Sequence, residues 1–224
     1  MNLLLTSAGI KNKTIHDAMV DLLGKPIAEA NALCIPTASY GHPMSSPAGP
    51  WRFISGQSAQ PMTGLGWKSV GVLELTALPS IDQERWVSWV READVLLANG
   101  GDALYLCHWM RQSGLADLLP SLPETVWVGF SAGSMVMTPR IGEDFVGWKS
   151  PTGNDSALGI VDFSIFPHVD HEALPENTMA EAERWAAGLG CPAYAIDDET
   201  AIKVTDGTVE LVSEGHWKLF NRES

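Results

Sequence analysis

The chain has 224 residues, 45% of them hydrophobic, and a formal net charge of −13 at pH 7. That length and apolar content suit a single domain spanning 1–224 with a well-buried core. The acidic balance without clustered Lys and Arg excludes a nucleic-acid partner, and the absence of an apolar run of about eighteen residues excludes a membrane-spanning helix.

The first residues, Met1-Asn2-Leu3-Leu4-Leu5-Thr6, lack the basic region of a signal peptide and read as a strand, so a cytoplasmic location is expected. In chain order, further strands are predicted at 32–35, 70–75, 95–98, 126–129 and 160–163 from short apolar runs. Helical spacing of apolar residues predicts helices over 14–23, 81–92, 103–115 and 178–189. Such alternation implies a mainly parallel sheet covered on both faces, with reactive loops at the carboxyl ends of the strands. Short strands at 194–196, 201–204 and 209–212, with a turn at Thr205-Asp206-Gly207, are expected to close one edge in antiparallel fashion. The stretch 40–66, rich in Gly, Pro, Ser, Met and Gln, interrupts the alternation. It is expected either to cover or wall a substrate site or to pack down as a surface excursion. Three cysteines, Cys34, Cys107 and Cys191, show no metal-ligand or C-x-x-C spacing and read as reduced core thiols.

The chemistry concentrates at three strand ends. Gly129-Phe130-Ser131-Ala132-Gly133 follows the apolar run 125–128 and precedes a segment able to continue as a helix. A strand, a glycine-flanked serine and a helix make a nucleophile elbow, with the amide of Ala132 pointing where an oxyanion would form. Upstream, an apolar strand ends in Asn99-Gly100-Gly101-Asp102, where successive glycines offer bare backbone N–H groups. Downstream, an apolar stretch ends in Phe166-Pro167-His168 and offers a general base. A serine alcohol needs such a neighbour to take its proton, and the histidine needs an acceptor on its other nitrogen to fix the tautomer.

Those three motifs, with Leu174-Pro175-Glu176-Asn177 just beyond the histidine, resemble peptidase family S51, which contains dipeptidase E (aspartyl dipeptidase) and cyanophycinase. The resemblance covers nearly the whole chain. It implies a three-layer α/β/α fold akin to class I glutamine amidotransferases, flavodoxin-like in its sheet. It also implies Ser131 as nucleophile, His168 as base, and Gly100 or Gly101 with Ala132 as the oxyanion amides. The family's acid lies between serine and histidine, where this chain has Glu143 and Asp144; the family's usual spacing falls on Val146, so a small gap is required. Asp144 is favoured over Glu143 for its shorter side chain, and Asp155 and Asp162 are weaker choices. A serine dipeptidase acting on short peptides with N-terminal Asp follows, with no metal or organic cofactor. The oligomeric state stays open, a homodimer included.

Substrate recognition would then need a carboxylate clamp and an ammonium acceptor. Arg140 or His171 is expected for the first, Asp170 or Glu143 for the second. Two rival readings stand beside this one. In an α/β-hydrolase esterase, Ser131 would be served by His216 with Asp197 or Asp198. In a catalytically silent amidotransferase-like module, the elbow would only grip a ligand.

Overall fold

The computed structural model describes residues 1–151 and 153–222. A seven-stranded sheet forms the centre. Its strands are β1 (Asn2–Thr6), β2 (Asn31–Ile35), β3 (Ser69–Val72), β4 (Val95–Ala98), β5 (Val126–Phe130), β8 (Thr200–Thr205) and β9 (Thr208–Ser213), in the order β3-β2-β4-β5-β1-β8-β9. The first five run parallel, and β8 and β9 close one edge antiparallel. A smaller sheet of β6 (Ser164–Phe166), β7 (Ala193–Ile196) and β10 (Trp217–Phe220) stands beside it, β6 parallel to β7 and β10 antiparallel.

Alternation along each strand assigns the two faces. On β1, Leu3 and Leu5 join the cluster under α4 (Gln83–Arg91), α5 (Ala103–Gln112) and α7 (Ala132–Met135). Leu4 joins the opposite cluster under α1 (Lys13–Leu23) and α3 (Ala48–Ile54). Strand β4, Val-Leu-Leu-Ala, is buried at every position, as a central parallel strand covered on both sides must be. The helices have the starts their sequences encode. Asn12 caps α1 by accepting from the Ile15 amide, Asp102 caps α5 by accepting from Tyr105, and Thr178 caps α8 (Met179–Ala187) by accepting from Glu181.

The structure departs from the sequence reading at three elements. Strand β3 ends at Val72, after which Leu73 and Leu75 turn into the core. The expected helix over 103–115 breaks where Gly114 takes φ 83°, and α6 (Leu115–Leu118) restarts beyond it. Residues 160–163 form no strand, because the amides of Ile160 and Val161 both donate to the Met137 carbonyl and fold the chain back under α7. The strand begins only at Ser164. Among the described residues no helix is long and apolar enough to cross a membrane.

The 40–66 excursion contains α3 and follows the short α2 (Ala38–Gly41). Phe53 and Met62 anchor it in the core, and the Ile10 amide donates to Pro61 O at 2.9 Å, so the segment packs down as a wall. It still presents Tyr40, Met44 and Trp51 to solvent.

Candidate active site

The elbow is held by close backbone approach. A Cβ on Gly129 would lie 2.4 Å from the Gly133 carbonyl oxygen, and one on Gly133 would lie 2.3 Å from Ala98 O, so neither position accepts a side chain without separating strand from helix. Between them Ser131 is forced to φ 50°, ψ −109°, a conformation that costs of order 1–3 kcal/mol and persists only where surroundings over-determine it. Those surroundings are visible. The Ser131 amide donates to Thr6 O at 3.0 Å, Ser134 Oγ donates to the same carbonyl at 2.8 Å, and Trp127 Nε1 donates to Gly133 O at 2.8 Å. Thr6 Oγ1 in turn donates to Gly129 O. The amide of Ala132 opens the helix, where the first N–H groups have no intrahelical acceptor.

Alongside, at the end of β4, Gly101 adopts φ 142°, and a Cβ there would strike Ala38 O at 2.2 Å. Asn99 Nδ2 donates to Ser39 Oγ at 2.7 Å, and Ser39 Oγ donates to Gly100 O at 3.1 Å, fixing the turn. The two glycines named from the sequence thus stand next to the elbow: the Phe130 ring lies against Gly100.

His168 follows β6 and also has positive φ, 57°. Its ring lies edge-on to Phe130, centroids 6.1 Å apart, beside the residue preceding Ser131. The acceptor on its Nδ1 is Asp198, at 2.7 Å, and both side chains are largely buried. This corrects the expected acid. Glu143 and Asp144 sit exposed on a 3-10 turn, Glu143–Phe145, and neither contacts His168. Asp155 is committed elsewhere, buried against Arg140. Asp198 lies on the turn between β7 and β8, thirty residues after the histidine instead of before it. Chain order misled because the carboxylate that pairs with His168 arrives from the neighbouring strand: β7 pairs parallel to β6, so both strands deliver their carboxyl-end residues to the same place.

Asp198 has further partners that sequence reasoning missed. Ser7, fully buried just after β1, donates from Oγ to Asp198 Oδ1 at 3.3 Å and accepts the His168 amide at 2.6 Å. On Oδ2, His171 Nε2 lies at 3.4 Å and Lys11 Nζ at 3.6 Å. Burial works to raise the Asp198 pKa, but the His168 hydrogen bond and the charges of His168, His171 and Lys11 outweigh it and hold the carboxyl below its ordinary value.

The remaining expected residues are placed as follows. Arg140 Nε donates to both Asp155 oxygens, at 3.0 and 3.1 Å, and Nη1 reaches Leu189 O, which ties one edge of the guanidinium to a buried carboxylate. Asp155 also accepts from the Gly142 amide. The pair is a structural link that holds Arg140, expected above as a carboxylate clamp, against a buried aspartate. Asp170 binds His216 Nε2 at 2.9 Å, and His216 Nδ1 lies 2.9 Å from Asp197 Oδ2. His216 therefore does not pair with Asp198, which removes one form of the esterase triad. Trp148, in the loop between nucleophile and base, donates its amide to Asp102 Oδ2 at 2.6 Å and packs its ring on Tyr105 and His108. Burial pushes the Cys34 thiol up to about 11, as for an unreactive core residue. Among the described residues no group of three or more His, Cys, Asp or Glu could hold a metal ion.

A strained serine at a strand-to-helix turn, with a carboxylate-paired histidine beside it, stands at the carboxyl ends of the strands of a flavodoxin-like α/β fold. The chain belongs to peptidase family S51, whose model matches residues 3–212, and it is thereby a peptidase. No curated protein matches it in sequence. Two crystal structures share the fold. One is "a Putative Peptidase E Protein from Listeria monocytogenes EGD-e", 21% identical, TM-score 0.66, with 96% of this chain and 98% of that one covered. The other is "a peptidase from an acI-B1 Actinobacterium", 19% identical, TM-score 0.64, with 96% and 88% covered.

Proposed function

We propose that the chain is a cytoplasmic serine exopeptidase that hydrolyses short peptides, with N-terminal aspartyl dipeptides as the favoured substrates. The observation that carries the reading is the 2.7 Å contact of His168 Nδ1 with Asp198 on a ring lying beside the elbow. Asp198 fixes the tautomer with the proton on Nδ1, leaving Nε2 free to accept the Ser131 hydroxyl proton as Oγ attacks the scissile carbonyl. The oxyanion that forms is met by the Ala132 amide and an amide of Gly100 or Gly101. His168 then returns its proton to the leaving amine as the C–N bond breaks. Water, deprotonated by the same ring, releases the acyl group from Ser131. No metal is needed, because the base and the amides supply both activation and charge stabilisation.

The exopeptidase part of the reading draws support from the family and from the peptidase E name carried by the Listeria chain. Of the acids expected to receive the substrate ammonium, Asp170 is held by His216, whereas Glu143 keeps an exposed carboxylate. The test joins labelling to turnover. A fluorophosphonate probe should modify Ser131, and a panel of Asp-Xaa, Glu-Xaa, Ala-Xaa and isoaspartyl dipeptides should be cleaved with Asp-Xaa preferred. Labelling without any dipeptide cleavage would reject the dipeptidase, and no labelling would reject the serine mechanism.

A further inference from the structure

Beside Gly100, Gly101 and Phe130 opens a cleft of about 580 Å³, walled on its far side by the 40–66 excursion. That volume is within the range of small-molecule sites. In a chain of net charge −13, its lining contains no aspartate or glutamate. It contains one guanidinium, Arg52, at the last turn of α3, together with the neutral donors Gln57, Gln60 and Asn99.

Arg52 differs from Arg140 in what its fork does. Arg140 is held by Asp155 through Nε and by Leu189 O through Nη1, whereas the Arg52 guanidinium makes no hydrogen bond or ion pair among the described residues. A planar fork matches a carboxylate bidentately, and here no protein carboxylate in the lining competes for it. The surrounding acidic field raises the need for a local cation if a substrate anion is to approach. The α3 backbone presenting it is anchored by Phe53, its buried neighbour.

We propose that Arg52 is a specificity-determining residue that receives a carboxylate of the peptide substrate in this cleft, on the Gly100-Gly101 side of the scissile bond. The proposal rests on the serine-peptidase reading for the identity of its ligand. Two carboxylates of an aspartyl dipeptide have the required chemistry, the side chain and the C-terminus, and matched amides separate them.

The experiment is calorimetric binding of Asp-Ala, Asn-Ala and Asp-Ala-amide to the full-length Ser131→Ala protein, with and without Arg52→Ala or Arg52→Lys. Arg52→Ala should weaken the binding of Asp-Ala roughly ten- to a hundredfold, the span of a charged hydrogen bond, and Arg52→Lys should restore part of the loss. The amide that binds weakly to the Arg52 protein and is hardly weakened further by Arg52→Ala identifies the carboxylate held. Equal loss on all three peptides, or none, would overturn the proposal. Turnover by the wild-type chain is measured alongside. Arg52-dependent binding of Asp-Ala without hydrolysis would reject the peptidase reading while keeping the carboxylate site. Hydrolysis with Arg52-independent binding would do the reverse.

Discussion

Two adjacent aspartates, Asp197 and Asp198, each carry a histidine, and the two pairs have similar lengths, 2.9 and 2.7 Å. Only their settings differ. His168 is 17% exposed, sits on a positive-φ residue and lies beside the elbow; His216 is 54% exposed and is bracketed by Asp197 and Asp170. The Asp197 pair joins the loop after β6, the turn between β7 and β8 and the start of β10 from outside. The Asp198 pair is held from inside by Ser7. A histidine–carboxylate contact is therefore no mark of catalysis by itself. What distinguishes the inner pair is a ring with one nitrogen facing no carboxylate beside the strained Ser131 turn, since both nitrogens of His216 face carboxylates.

The largest effect should come from exchanging the two histidines' fates. His168→Ala and Ser131→Ala are each expected to lower turnover by several orders of magnitude, and the double variant should be little worse than either, because the pair acts as a unit. His216→Ala should leave turnover within a few-fold and cost at most about 1 kcal/mol of stability, as for an exposed ion pair. Steady-state kinetics with denaturant titration reads both, and comparable activity losses in the two histidine variants would erase the distinction.

Next in size is the acid. Asp198→Asn should depress kcat on the order of 10²- to 10⁴-fold with the geometry intact, because the amide favours the wrong imidazole tautomer. Asp197→Asn, Glu143→Ala and Asp144→Ala should each stay near wild type. A strong defect in Asp144→Ala beside a mild one in Asp198→Asn would restore the acid read from the sequence.

The parallel sheet, the serine turn and the placing of His168 at a strand end were legible because each is local: a β-to-α turn with Gly129 and Gly133, a double glycine after β4, a histidine after an apolar strand. The carboxylate partner of His168 was not, because its position depends on β7 lying parallel to β6, a pairing between strands 29 residues apart that hydrophobic pattern does not reveal. The reading instead followed the family's chain order and stopped at Glu143 and Asp144. The partner of Arg140 was hidden for a related reason. Nearness in sequence to Ser131 suggested the clamp, whereas the buried partner Asp155, fifteen residues on, claims its guanidinium. Ser7 carries no motif at all; its role exists only where β1, the β6 loop and the β7 turn converge.

Ser7 offers a finer test of the inner pair. Ser7→Ala removes the acceptor for the strained His168 amide and a donor to Asp198 while leaving the ring and carboxylate in place. The expected loss is roughly tenfold in kcat with KM little changed, in keeping with about 1–3 kcal/mol for an unpaired buried amide. The rate of fluorophosphonate labelling should fall in parallel. A full-rate Ser7→Ala enzyme would mean that packing alone orients the dyad.

The smallest effect concerns acid stability. Asp198 is held below the ordinary carboxylate value in the folded chain, so its stabilising contribution is fully present above that ordinary value and is lost as pH falls through the lower, folded one. The stability gap between wild type and Asp198→Asn should thus be widest near neutrality and close as pH drops below about 4, the unperturbed aspartate value. Part of the gap survives screening, because the carboxylate is 15% exposed, but its His171 and Lys11 partners at 3.4 and 3.6 Å are about a third exposed and contribute weakly. Urea midpoints at pH 7 and pH 3 measure it. A gap that widens toward acid would show that the carboxylate is held by burial more than by its cations, and would shift the origin of the inner pair's order from charge to packing.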